Sequence, residues 1–97
     1  MTTDELIDDL HALQFRTQAY ERKYGVTSQD LYELYRQGRL DDEGFERSTE
    51  FARWASAYEM QLERAAEFEA QSRAFVAGLQ QAASARAVRL TPNPQPA

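Results

Sequence analysis

No proline falls between Asp42 and Thr91, and through that stretch large side chains return every three or four residues. Phe51, Trp54, Tyr58, Gln61, Ala65, Phe68, Ser72, Phe75, Leu79 and Ala82 follow one another at this rhythm and form a heptad-like seam. A second stripe, Ala55, Leu62, Ala66 and Val76, widens the apolar face. Pro92 biases the residue before it away from helix, so the pattern predicts one helix over about 42–85. At ~1.5 Å per residue such a helix is roughly 65 Å long, and the rest of the chain must pack along it.

Upstream, Leu6, Leu10, Leu13, Thr17, Tyr20 and Tyr24 mark one face of a helix over 3–24. Thr2 and Glu5 have the spacing of a capping box, and acids crowd the first turns, where the helix dipole favours them. Gly25 supplies the left-handed residue that ends a helix. A short helix over 28–37 follows, capped by Thr27, with Val26 and Leu31 spaced as a hydrophobic staple and Gly38 as its stop. Its buried face is expected to be Leu31, Leu34 and Tyr35. Leu40, Asp41 and Phe45 repeat the staple spacing and place the third helix start at Asp42. Gly44 then falls inside a first helical turn, a position the pattern does not explain.

The expected architecture is all-α: a helical hairpin with a short connecting helix and one long coiled-coil-like third helix, with no sheet. Residues 1–90 form one helical domain, and 91–97, with three prolines, form a tail too polar to pack. A first helix of roughly 33 Å covers about half of the third. The uncovered half, carrying Phe68, Phe75, Val76 and Leu79, is expected to be buried by another chain or to fray from Gly78, since glycine costs about 1 kcal/mol in a helix interior.

Charge narrows the partner. All sixteen acids lie in residues 1–70 against eight bases, a net charge of -8, whereas residues 71–97 hold Arg73, Arg86 and Arg89 and no acid, a net charge of +3. An acidic body repels phosphate and attracts basic proteins. Cysteine is absent, the first ten residues lack the basic and apolar regions of a signal peptide, and no apolar run approaches the ~18 residues of a membrane helix. A cytoplasmic protein with no membrane segment is expected.

Catalytic chemistry finds no foothold. His11 is the only histidine, lies off the apolar stripe and has no second ligand for a metal. Asp41, Asp42 and Glu43 lack the alternating spacing and distal glutamate of a calcium loop and are read as a helix cap. Gly25, Gly38 and Gly44 are scattered and do not cradle phosphate. TSQDLYELYRQG resembles the middle of a helix-turn-helix, but the next helix opens DDEGFE, whose acids would meet phosphate. The expectation is a binding protein, neither enzyme nor direct nucleic-acid reader, with no cofactor or metal.

Eight of the eleven aromatics lie between Tyr20 and Tyr58. Phe51, Trp54 and Tyr58 are assigned mainly to the core. From expected exposure, Tyr32, Tyr35, Phe68, Phe75, Val76 and Leu79 are the candidate apolar contacts with a partner, Tyr32 foremost, with Glu63, Glu67 and Glu69 as polar ones.

Tyr24, Gly25, Val26 and Thr27, then Gly38, Asp41 and Asp42, then Phe51, Trp54 and Tyr58, form a block that resembles small acidic bacterial antitoxin-like proteins of toxin–antitoxin modules. Gly44 and Phe45 depart from that pattern, and the alanine-rich extension from about Ala65 lies outside it. The resemblance implies neutralisation of a toxin, a basic ribonuclease-like protein, by covering its active surface. The alternative is a structural coiled-coil scaffold that self-associates through residues 61–85, with Gln61 and Ser72 in the seam fixing register.

Overall fold

A computed structural model of the protein describes residues 1–41 and 43–92. Among them are three helices and no strand: α1 (Thr3–Tyr24), α2 (Ser28–Arg36) and α3 (Phe45–Ala83). The expected helix start at Asp42 and residues 93–97 of the tail lie outside the described residues.

Local chemistry sets the first two helices. Thr2 Oγ1 accepts from the Glu5 amide at 3.1 Å, and Gly25, at φ 73°, donates its N–H to the Glu21 carbonyl at 2.8 Å. Thr27 Oγ1 accepts from the Asp30 amide at 3.0 Å, and α2 ends at Arg36, with Arg39 N–H returning to the Leu34 carbonyl at 3.1 Å across Gly38. These bonds satisfy amides and carbonyls that a helix end leaves open.

The entry to α3 differs from expectation. Gly44 has φ 97°, so the chain turns through a backbone conformation reserved for glycine and helix begins at Phe45. Asp41 closes a local turn, its Oδ1 accepting from the Glu43 amide at 3.2 Å, and does not cap α3. The staple of Leu40, Asp41 and Phe45 does not form, because Phe45 is 85% exposed while Leu40 packs against the core. Gly44→Ala forces a side chain into this conformation although nothing lies within 4 Å of the new Cβ. The expected loss is about 1–3 kcal/mol, all of it backbone strain, read as a lower urea midpoint with an unchanged slope.

At its far end α3 stops at Ala83, short of the expected 85, where Ser84 takes φ 56°. Its 39 residues, at ~1.5 Å each about 58 Å, account for the 59 Å long axis of the molecule.

α1 returns antiparallel along α3. Thr3 Oγ1 meets Gln71 Oε1 at 3.1 Å, Asp9 meets Arg64 at 2.7 Å, and Thr17 Oγ1 donates to Gln61 Oε1 at 2.8 Å. Further along, the Tyr20 ring stacks on Trp54 and Tyr24 lies against both Trp54 and Phe51, with centroids 5.3–5.7 Å apart. Leu6, Leu10, Leu13 and Thr17 are buried in between. Gln61 therefore fixes register inside the chain, against α1. Coverage by α1 also reaches Gln71, further along α3 than the half expected, because α3 starts late and α1 runs its full length beside it.

α2 touches α3 with its first turns only. Ser28 and Leu31 are 2% exposed, Tyr32 is half-buried, and Leu34 and Tyr35 are 38% and 43% exposed. The expected buried face of Leu31, Leu34 and Tyr35 thus reduces to Leu31. Val26 is 41% exposed, so Leu31 is held by Phe51, Trp54 and Ala55 of α3 more than by a staple. Because α2 is short, nothing follows it along α3, and Leu62 of the second stripe remains 45% exposed.

Candidate functional site

Three helices meet at Trp54. Its indole N–H donates to Ser28 Oγ at 2.8 Å, and Ser28 in turn donates its hydroxyl to Glu21 Oε2 at 2.7 Å, while the Ser28 amide reaches the same carboxylate oxygen at 2.8 Å. Trp54 is fully buried, so its single donor must find an acceptor within the fold. Glu21 also satisfies the first amide of α2, tying α1, α2 and α3 at one point. This network was not legible in the sequence; the signal was a lone tryptophan on a buried stripe together with a serine directly after a cap. It is structural, and no described side-chain N or O atom is buried without a partner.

Tyr32, the foremost expected contact, belongs to this node. Its ring lies edge-on to Tyr58 at 5.5 Å, Arg36 sits over its face at 5.7 Å, and its hydroxyl donates to Glu59 at 3.3 Å. A ring held on three sides is a poor anchor for a partner. Tyr35 is the α2 aromatic that faces solvent.

The other candidates separate into two surfaces. Glu63 and Glu67 are exposed on the outward side of α3, in line with Glu59 at four-residue spacing. At ~100° per residue, Glu63 stands roughly 140° around the helix from Phe68. The three glutamates form a ridge flanked by Met60, 39% exposed, and Leu62, 45% exposed. Among the described residues neither Glu63 nor Glu67 makes an ion pair, whereas Glu69 lies 3.8 Å from Arg73.

The second surface is the overhang of α3 beyond Gln71. Phe75 is 62% and Val76 36% exposed, and Leu79 is half-buried. Phe68 is not part of the uncovered region as expected: it is half-buried where α1 begins and lines, with Thr3, Gln71, Ser72 and Phe75, a recess of about 310 Å³. Sequence reasoning did not single out Phe15, 72% exposed on the outer side of α1, or Met60. Neither has a sequence signal beyond lying off an apolar stripe.

The opposite flank of the hairpin carries ion pairs. Lys23 Nζ meets Glu50 at 2.8 Å; the bond holds the Glu50 carboxyl below its ordinary 4.5 and raises Lys23 above 10.5. A lowered carboxyl stabilises the fold above pH 4.5 and loses that effect as pH falls through the lowered value. A raised ammonium acts below pH 10.5 and loses its effect as pH rises through the raised value. Lys23→Met is therefore expected to lower the melting temperature slightly at neutral pH and to match the native chain once Glu50 is protonated in acid.

His11 is exposed, no three His, Asp or Glu side chains converge among the described residues, and no helix there is long and apolar enough to cross a membrane. Compared with known proteins, the chain matches no family model, no curated protein and no solved structure.

Proposed function

We propose that this chain is a protein-binding module of the antitoxin type, which neutralises a basic, ribonuclease-like protein by direct complex formation. The observation that carries the reading is the ridge of Glu59, Glu63 and Glu67, exposed between Met60 and Leu62. Like charges four residues apart disfavour a helix by a few tenths of a kcal/mol each; Glu59 accepts from Tyr32, but Glu63 and Glu67 make no ion pair among the described residues and act on Arg64 only at longer range, so the fold offsets little of the row's repulsion. A cationic partner surface offsets that repulsion, and the two apolar flanks supply area that desolvates on contact. A ribonuclease groove, built to attract phosphate, has the charge that such a ridge complements.

The test is co-expression with a basic toxin-like protein encoded beside the chain. The chain should relieve growth arrest and co-purify with that protein, and Glu63→Lys/Glu67→Lys should weaken the complex roughly tenfold or more with helix content unchanged. Growth arrest that persists in the presence of the native chain, or a doubly reversed variant that protects equally well, would refute the reading.

A further inference from the structure

We infer that the α3 overhang is occupied by the same overhang of a second copy, the two lying antiparallel in a tail-to-tail dimer. The overhang starts beside the first residues of α1, and Ser72, Phe75, Leu79 and Ala82 carry the α1-facing side of α3, on which Phe68 lies, straight on past Gln71. A helix entering that space in the antiparallel sense continues the interface that α1 already makes. A two-fold arrangement lets both copies fill each other's vacancy at once.

Charge selects the occupant. Residues 72–92 contain Arg73, Arg86 and Arg89 and no acid, while the first turns of α1 hold Asp4, Glu5 and Asp8 beside Asp9, which pairs with Arg64. Stacking the seam in antiparallel register puts Phe75 of each copy against Leu79 of the other and Ser72 against Ala82. The Arg86 and Arg89 end of one chain then arrives at the acidic start of α1 of its neighbour, beside the recess lined by Thr3, Phe68 and Phe75. The negative end of α3 meets the positive end of α1 there as well. A basic protein has no such match on an overhang free of acids, so this surface and the glutamate ridge serve different partners. The inference goes beyond the proposed function and stands or falls apart from it.

Twelve overhanging residues per copy bury less than the roughly 800 Å² per partner of a standard interface, so the dimer is concentration-dependent. The test is sedimentation of the full chain from about 10 μM to 1 mM, the range in which a small interface is populated. The expected result is a shift from one to two chain masses, weakened at least tenfold by Phe75→Glu and also by Arg86→Glu/Arg89→Glu. The chain has no cysteine, so engineered thiols report register cleanly. Mixed Ser72→Cys and Ala82→Cys chains should cross-link to each other more than to themselves. A monomer throughout, a dimer indifferent to Phe75→Glu, or preferential Ser72→Cys self-linking would overturn the inference, whatever becomes of binding at the glutamate ridge.

Discussion

Trp54→Ala is expected to leave the chain unfolded at room temperature, with the helical circular dichroism of the native protein largely lost. Trp54 is fully buried and is stacked on by Tyr20 and Tyr24 from α1, and it shares the core cluster with Leu31 of α2. Truncating a buried aromatic costs about 3–5 kcal/mol. Native domains are stable by only about 5–15 kcal/mol, and a core of eight buried apolar residues among those described, two of them alanine, puts this chain at the low end, so one substitution removes most or all of the margin. Trp54→Phe separates packing from hydrogen bonding: it removes the donor but leaves Ser28 bonded to Glu21, and the chain should remain folded with a lower melting temperature. A folded, cooperative Trp54→Ala chain would mean that the three helices do not depend on this node.

Leu31→Ala should have the next largest effect, about 2–5 kcal/mol, and an uneven one. Leu31 is the one fully buried apolar side chain of α2; the helix otherwise holds on through Ser28 and the half-buried Tyr32. Without Leu31 the nine residues of α2 are too short to remain helical alone. α1 and α3 keep Leu6, Leu10, Leu13 and the Thr17–Gln61 bond between them. Amide exchange should therefore accelerate in α2 far more than in residues 6–17 and 54–65. Equal acceleration everywhere would show that α2 and the hairpin open as one unit.

What the residues announced and what they hid follow from how local each device is. The caps at Thr2 and Thr27 and the stop at Gly25 are made by neighbours in sequence, and each stands where its pattern placed it. The α1 stripe was equally legible because a period of 3.6 is a property of one helix. The entry to α3 departs from its pattern because an apolar residue, an acid and a second apolar residue stand at staple spacing at Leu40, Asp41 and Phe45, while the positive φ of Gly44 overrides them. The Glu21–Ser28–Trp54 network joins residues brought together only by the turns between helices, so no spacing could reveal it.

The candidate contacts show the same division. Phe75 and Val76 were placed on the uncovered end of α3 by comparing helix lengths, and they are exposed there. Expected exposure groups Glu63 and Glu67 with them, yet helical geometry turns the two sets to different sides. One short helix cannot hide two aromatics equally, which makes Tyr32 a candidate anchor by sequence; the structure half-buries Tyr32 and leaves Tyr35 out, a choice made by Tyr58 and Glu59 on α3.

The order of the single chain centres on the aromatic node, and beyond Gln71 neither α1 nor α2 lies along α3, where Phe75 is 62% exposed. Amide hydrogen exchange of the full chain by NMR, at concentrations where sedimentation gives one chain mass, tests this directly. Amides near Trp54 and Gln61 should be the most protected, with protection falling steeply past Gln71 and approaching unstructured rates beyond Gly78. Protection across residues 72–83 equal to that around Trp54 in the monomer would contradict the account.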